Sequence, residues 1–376
     1  MITVLITAVG TGVGQSILKG LKLARRAAGR SYRIIGVDIS EWAAGLYRCD
    51  KSFLVPPASR EQNYIRSIIN IAKSEKVDII IPGCDPELPV LAKWKGEIEE
   101  KGNCRIVVGS VEAIRICRDK FLTYKFLKEH GFACPETVLP HDEKALKEFI
   151  REVGFPVLIK PRSGSGTRGV RVVFNWEELK KAVKPDSIVQ DYLVPDEWGK
   201  PKETLTKKDV LEGDLLKQTD EYSTEVLVSK EGDIIGSITN WRTMKKGYPI
   251  RAIIDDFAEV RKEAEKVVSK LIEIGLIGPC NLQARIVNGR PAFFEINPRF
   301  SGSTAIRCVA GFNGPDVIVR NFVLNENPLK LRKELKIRRL IEIRWWSELY
   351  IEPEVFELLR KTRCLDKPES FTADYF

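Results

Sequence analysis

VLIKPRSGSGTRGVRVV, residues 157–173, runs from a β-rich segment through a turn crowded with Gly and Ser into a second β-rich segment. Glycines at 164, 166 and 169 allow backbone N–H groups to approach a polyphosphate closely, and Lys160 supplies a compensating charge. The lysine precedes the glycines and a strand follows them, so this is not the loop of a P-loop NTPase, in which the lysine opens a helix. Taken alone, the stretch also fits a hairpin carrying a solvated lysine.

A second segment, FFEINPRFSGST at residues 293–304, bears on that choice. Strand alternation puts Glu295 and Asn297 on one face, with Arg299 following. A carboxylate beside an amide oxygen suits Mg²⁺, which is held by one or two protein oxygens plus substrate phosphates. Gln283, in GPCNLQARIV (278–287), could add a third oxygen from across a hairpin. The alternative is the polar face of an edge strand.

Working outward, the first third alternates apolar strand-like runs (ITVLITAV, YRIIGVD, VDIIIPG, CRIVVGS) with helical ones: about 14–28, EQNYIRSIINIAK, and one near LPVLAKWKGEIEE. This rhythm predicts a parallel sheet covered on both faces, a Rossmann-like α/β module. Gly10, Gly12 and Gly14, with Asp38 further on, imitate a dinucleotide-binding fingerprint, but Gln15 stands where the third glycine belongs. From SVEAIRICRDKFLTYKFLKEHG onward the pattern becomes α+β, with hairpins expected at SKEGDI and VNGRP. Phe121, Tyr124, Phe126 and Leu127 form a helical stripe with Gly131 as its stop. Residues 195–220 are polar and punctuated by Pro and Gly, and are expected to be a mobile lid or a disordered insertion.

Composition narrows the function classes. The net charge is +9, but the 61 Lys and Arg are scattered among 52 acidic residues, with no basic block interleaved with aromatics; a small anionic substrate fits as well as nucleic acid, and no nucleic-acid partner is expected. No apolar run approaches the roughly 18 residues of a membrane span, and MITVLITAVG lacks the basic region of a signal peptide, so a cytoplasmic protein with no membrane partner is expected. Eight cysteines without a CxxC pair and two histidines, His130 and His141, argue against a zinc site, a disulfide framework or a His-based nucleophile.

In order along the chain, RDKF (118–121), LIKPRSGSGTRGV, VQDYL (189–193), EYSTEVL (221–227) and NLQARI…FFEINPRFSGST resemble the ATP-grasp superfamily, in its branch of carboxylate–amine ligases and carbamoyl-phosphate-synthase-like proteins. The resemblance implies a Rossmann-like pre-ATP-grasp domain (1–113), an ATP-grasp lid and N-terminal subdomain (114–192), a C-terminal subdomain (193–325) and a C-terminal extension (326–376). It further implies ATP and Mg²⁺, with Mn²⁺ as a substitute, and ADP-producing union of a small carboxylate with an amine. A carbamoyl-phosphate-type kinase and a non-catalytic ATP-binding partner protein are the alternatives. A homodimer is compatible with it.

By that resemblance Lys120 and Lys160 contact the phosphates, and Ser163, Gly164, Ser165, Gly166, Thr167 and Gly169 close over them. Gln190, Asp191, Tyr192 and Leu193 form the hinge that reads adenine, and Glu221 holds the ribose. Gln283, Glu295 and Asn297 ligate Mg²⁺, while Arg299 steadies the transferred phosphoryl group. Weaker candidates are Arg242, Lys245, Lys246 and Arg251, toward phosphate or substrate carboxylate, or else a solvated face. Asp85 and Glu87 are candidates for binding an amine or capping a helix, and Ser301, Gly302 and Ser303 for shaping an acceptor pocket. The Gly10–Gly14 turn then becomes a substrate-side wall or a purely structural turn. No role follows for the tail KIRRLIEIRWWSELYIEPEVFELLRKTRCLDK beyond packing on the ATP domain.

Overall fold

A computed structural model describes residues 1–164, 168–245, 247–345 and 347–366. Its first sheet contains β1 (Ile2–Ile6), β2 (Tyr32–Asp38), β3 (Lys51–Leu54), β4 (Ile79–Ile81) and β5 (Arg105–Ile106) in the order β3-β2-β1-β4-β5, all parallel. Side chains alternate across it: Val4, Ile6 and Ile34 enter one apolar core, Leu5, Ile35 and Ile80 the other. That two-sided burial is why these strands are apolar throughout.

Helix α1 (Gly12–Ala28) starts two residues earlier than the sequence pattern indicates. Thr11 is its N-cap, its hydroxyl accepting from the Gly14 N–H at 3.0 Å, and Gly29 ends it with φ of 61°. Helix α2 (Glu61–Ser74) follows β3. The helix expected near LPVLAKWKGEIEE is two, α3 (Leu88–Lys93) and α4 (Lys95–Gly102), because Trp94 leaves helical geometry between them at φ −101° and ψ 11°. Likewise the Phe121 stripe lies on α6 (Lys120–Glu129), separate from α5 (Val111–Arg118), with Asp119 extended between the two and capping α6.

Among the described residues the second region holds two large antiparallel sheets and a separate two-stranded one. A four-stranded one joins β6 (Thr137–Val138), β7 (Val157–Pro161), β8 (Arg171–Val173) and β9 (Ser187–Asp191) in the order β6-β9-β7-β8. After it, residues 195–220 are not without structure among the described residues: two short 3-10 turns, a helix at Lys207–Val210 and a small hairpin, β10 (Leu211–Glu212) with β11 (Leu215–Leu216), fill the segment. Leu205 and Val210 are buried, and the Trp198 indole donates to Asp220 at 2.8 Å. Buried apolar anchors and local hydrogen bonds supply what its polar composition concealed.

The larger sheet joins β12 (Gln218–Val228), β13 (Ile234–Lys245), β14 (Tyr248–Ile254), β15 (Gly278–Val287), β16 (Arg290–Asn297) and β17 (Leu340–Ile343) in the order β16-β15-β12-β13-β14-β17. Both expected hairpins are present, as β12–β13 and β15–β16. The helix Ala258–Ile272 covers one face through Ala264, Val267, Val268 and Leu271. The other face shares a core with α1: Leu227, Ile238 and Ile254 join Ile17, Leu18 and Leu21 through Phe300, Ile306 and Phe312. A Cβ at Gly20 of α1 would lie 2.9 Å from both Cys308 Sγ and Pro315 Cγ, so only glycine permits this approach. The tail divides: β17 extends the large sheet beside β14, and β18 (Cys364–Asp366) pairs antiparallel with β3 of the first sheet.

Candidate nucleotide and cation site

Between the four-stranded sheet and the large sheet lies a cleft of about 740 Å³. Strand alternation in β7 sends Val157 and Ile159 into the core while Leu158 and Lys160 line the cleft. Lys160 is 8% exposed, its Nζ donating to Gln190 Oε1 at 2.7 Å and lying 5.4 Å from the centre of the Phe294 ring. Gln190 in turn donates from Nε2 to Thr137 Oγ1 at 2.9 Å, which fixes its orientation. Burial and then the neighbouring Lys120 push Lys160 down to about 8. An anion in the cleft would reverse that shift.

Lys120, the first residue of α6, donates to the Gly164 carbonyl at 3.1 Å and also faces the cleft. Asp119 accepts from Arg162, tying the start of α6 to the end of β7. Ser163 and Gly164 line the cleft, with Gly164 at φ 136° and Gly169 at φ 76°, where a side chain would be strained. Ser165, Gly166 and Thr167 lie outside the described residues.

Asp191, Tyr192 and Leu193 line the cleft at the end of β9. Here the structure adds a residue the sequence reading passed over. Arg285 donates to the Leu193 carbonyl at 2.7 Å and sits over the Tyr192 and Trp198 rings at 5.4 and 5.8 Å, bracing the segment from the opposite sheet. Its signal was its place two residues after Gln283 on one strand.

Glu221 is 3% exposed rather than solvated, and lines the cleft. Its cross-strand partner is Arg242, which donates to it at 3.2 Å. Arg242 is therefore the buried counter-ion of Glu221 rather than part of a solvated face. Lys245 pairs with Glu212 at 3.1 Å, Arg251 is exposed on β14, and Lys246 lies outside the described residues.

Gln283 and Glu295 face each other across β15 and β16, and both line the cleft. Immediately beyond this pair the register shifts, so that Ala284 opposes Phe293 and Phe294 is the extra residue of a bulge. The bulge explains a departure from simple alternation: Phe293 is buried in the core, whereas Phe294 and Glu295 both face the cleft. Asn297 donates from Nδ2 to Glu295 Oε1 at 3.0 Å, and its carbonyl oxygen accepts from Arg299 at 3.2 Å. One carboxylate with amide oxygens is a sparse donor set, which suits Mg²⁺ completed by phosphate oxygens and water. Among the described residues there is no cluster of three or more His, Cys, Asp or Glu fit for a metal.

Arg299 has another engagement. It donates to both oxygens of Asp85, at 3.1 and 2.7 Å, and also to Phe300 O at 2.7 Å and Asn297 Oδ1 at 3.2 Å. Four of its five N–H groups are thus used. Burial alone would push the Asp85 carboxyl up, but Arg299, and after it Arg118 and Lys120, outweigh burial and hold it below the usual range. Asp85 comes from the turn after β4, so this buried pair joins the first domain to the end of β16. Asp85 thus neither stands free for an amine nor caps a helix. Glu87 accepts from Thr7 Oγ1 at 2.6 Å inside the first domain, and burial pushes its carboxyl up. It makes no cap either.

The loop after Arg299 is held from within. Ser301 Oγ accepts from the fully buried Arg307 at 3.1 Å, Ser303 is buried, and the Gly302 carbonyl accepts from Ser16 Oγ at 3.2 Å and Arg344 at 3.0 Å. His130 and His141 are exposed. The described cysteines are all free thiols.

Three family models match successive parts of the chain: "PylC-like, N-terminal domain" over residues 4–107, "ATP-grasp domain" over 117–198, and "ATP-grasp in the biosynthetic pathway with Ter operon" over 209–345. The chain belongs to the ATP-grasp superfamily, related to the carbamoyl-phosphate synthases and biotin carboxylases. Biotin carboxylase of Pseudomonas aeruginosa is 28% identical over 262 residues, 66% of this chain and 55% of that protein. Carbamoyl-phosphate synthase of Methanobrevibacter smithii is 30% identical over 147 residues, 38% of each chain. The aligned part is 55% of that biotin carboxylase and as little as 21% of a carbamoyl phosphate synthase large chain, so the chain spans well under two thirds of the length of these curated relatives. In fold, the L-amino acid ligase from Bacillus licheniformis is similar with a TM-score of 0.62 at 16% identity, covering 90% of this chain and 78% of that one. No described helix is long and apolar enough to cross a membrane.

Proposed function

We propose that this protein is an ATP-dependent ligase that activates a carboxylate as an acylphosphate and joins it to an amine. The observation that carries this reading is the opposition of Lys160 on one sheet to Gln283 and Glu295 on the other, across one cleft with an apolar floor. The base would lie against Leu158 and Val170 near Tyr192, with the phosphates toward Lys120 and Lys160. Glu221 would hold the ribose hydroxyls, with Arg242 paired to it at 3.2 Å. Mg²⁺ held by Gln283, Glu295 and phosphate oxygens would supply charge neutralisation on the transferring group.

In the first step a carboxylate oxygen bonds to the γ-phosphorus, and the bond to the bridging oxygen of ADP breaks. In the second the amine attacks the acyl carbon, inorganic phosphate leaves and the amine loses a proton. Lys120 and Lys160 stabilise negative charge in the first step, and no covalent protein nucleophile is needed. Arg299, fixed between Asp85 and Asn297, keeps one N–H for the acyl group or the phosphoryl oxygens.

The sequence likeness to carbamoyl-phosphate synthases supports a second reading, phosphorylation of bicarbonate or carbamate in the same cleft. A panel of carboxylates, bicarbonate among them, crossed with amines and followed by phosphate release and product mass, separates the two. The ligase reading expects Mg²⁺-dependent ADP formation raised by one carboxylate–amine pair, with a product of their summed mass less water. Stimulation by bicarbonate alone supports the second reading. Formation of AMP and pyrophosphate contradicts both.

A further inference from the structure

The face of the large sheet that carries Gln283 and Glu295 continues past the nucleotide cleft. Ser223 lies directly opposite Gln283 across β12 and β15, and Asn281 lies opposite Asn297 across β15 and β16. Opposed residues of an antiparallel pair share a face, so the candidate cation ligands and these two polar residues stand side by side on one surface. Ser223, Asn281, Glu225 on β12 and Asn240 on β13 are all 0% exposed. The helix Thr304–Val309 brings one cation down onto them, Arg307, itself fully buried.

The Arg307 guanidinium reaches all four. Its Nε and Nη2 donate to Asn240 Oδ1 at 3.1 and 2.8 Å, and Nη2 also donates to the Ser223 carbonyl and hydroxyl oxygens at 2.8 and 2.9 Å. Its Nη1 donates to Glu225 Oε2 at 2.9 Å, Asn281 Oδ1 at 3.0 Å and Ser301 Oγ at 3.1 Å. Ser223 Oγ donates to Asn281 Oδ1 at 2.8 Å, which ties the two neighbours of the cation ligands to each other. Desolvation offsets much of the attraction in a buried ion pair, so cohesion alone gives little reason for this one. What a planar fork of donors adds is direction: it holds acceptors from β12, β13, β15 and the loop after Arg299 in one fixed arrangement.

We propose, resting on the Mg²⁺ assignment above, that Arg307 is a positioning residue for the cation site: it holds the cross-strand neighbours of Gln283 and Asn297 in place and, through Ser301, the loop that follows Arg299. Arg307 touches neither the nucleotide nor the metal in this role. None of the residues to which it donates lines the nucleotide cleft, so its effect falls on the metal and spares binding of the nucleotide alone. Groups that orient metal ligands from behind typically change metal affinity by about 10–100-fold when removed.

ADP titrated calorimetrically into the full chain, once with Mg²⁺ and once with EDTA, reads the gain in affinity that the metal confers. That gain should shrink by about tenfold or more in Arg307→Met, while the affinity with EDTA stays within about twofold. Arg307→Lys, which keeps a charge beside Glu225 but not the fork, should lie between. Arg307→Met strands the buried Glu225 carboxylate, so Asn281→Ala, which removes one acceptor and leaves the ion pair, is measured beside it and decides the matter if Arg307→Met fails to fold. Its gain should fall in the same direction. Val267→Ala opens a cavity in the core on the opposite face of the sheet; it should lower the melting temperature and leave the gain unchanged. Three outcomes would overturn the proposal: an undiminished gain in the folded Arg307 and Asn281 variants, an equal loss of gain in Val267→Ala, or no gain from Mg²⁺ in the unsubstituted protein. A gain that is present and lost on substitution, in a protein that forms no ADP with any carboxylate–amine pair, would contradict the ligase reading and leave the positioning role standing.

Discussion

Replacing Glu295 with alanine is expected to lower Mg²⁺-dependent ADP release by about 10²–10³-fold or more while leaving the fold intact. Glu295 is the one carboxylate in the Gln283, Glu295, Asn297 set, and the two amides bring no charge. On the proposed reading a divalent cation would then lose its one anionic protein ligand. The side chain lines the cleft rather than the core, so its loss enlarges the cleft and opens no cavity in the apolar core. The check is steady-state ADP release across a range of Mg²⁺ concentrations, beside a thermal melt. Turnover within a few-fold of the unsubstituted protein would remove Glu295 from the metal set.

The second large effect concerns stability and activity together. Changing Asp85 to alanine leaves the Arg299 guanidinium buried, 9% exposed, with Arg118 close by and no carboxylate between them. Breaking a buried pair from one side costs about 3–5 kcal/mol, since the remaining charge is neither solvated nor compensated. The melting temperature should fall markedly, and Arg299 should lose its fixed position beside Asn297. Because Asp85 is held below its ordinary value, its contribution is present at neutral pH and is lost as the pH falls from about 3.9 through the lower folded value. The Asp85→Ala variant should therefore show a shallower loss of stability in acid than the unsubstituted protein. Equal melting temperatures at pH 7 would show that the pair does not bind the two domains energetically.

Much of the fold was legible because the signals were local and periodic. Apolar runs predicted the parallel sheet, and the ordered motifs that hold Lys160, the glycines, Glu221, Gln283 and Glu295 carried the resemblance to the ATP-grasp fold. What stayed hidden depends on contacts far apart in the chain. Asp85 and Arg299 are 214 residues apart, and no spacing rule pairs them. Arg242 read as a loose cation because its partner Glu221 sits on another strand, and the β12–β13 register is set by a hairpin with shifts of its own. Phe294 was hidden by the bulge that breaks strict alternation in β16. In the 195–220 segment composition registers mean polarity, whereas a few anchors such as Leu205, Val210 and Trp198 are enough to give a short excursion local structure. The split destination of the tail, β17 in one sheet and β18 in another, lies beyond any local pattern.

The Gly10–Gly14 turn is the place where a different ligand could have been inferred. Asp38 does not stand ready for a ribose there; its Oδ2 accepts from the Gly10 N–H at 2.8 Å and its Oδ1 from the Ile39 N–H at 2.8 Å, closing the turn on itself. A Cβ on Gly10 would lie 2.5 Å from Ala43 Cβ, so packing also limits the room beside this glycine. Both observations favour the structural role for the turn and leave the nucleotide to the cleft between the sheets.

That assignment is tested most directly by calorimetric titration of a non-hydrolysable MgATP analogue, with NAD as the comparison, into the protein and its Lys160→Met variant at pH 7 and pH 9. Lys160 loses its proton above about 8, and phosphate binding favours the charged form, so the expected result is tight MgATP-analogue binding at pH 7 that weakens about tenfold at pH 9. The same binding should be largely lost in Lys160→Met, and NAD should give no heat. Tight NAD binding, together with an ATP-analogue affinity indifferent to Lys160→Met, would contradict it.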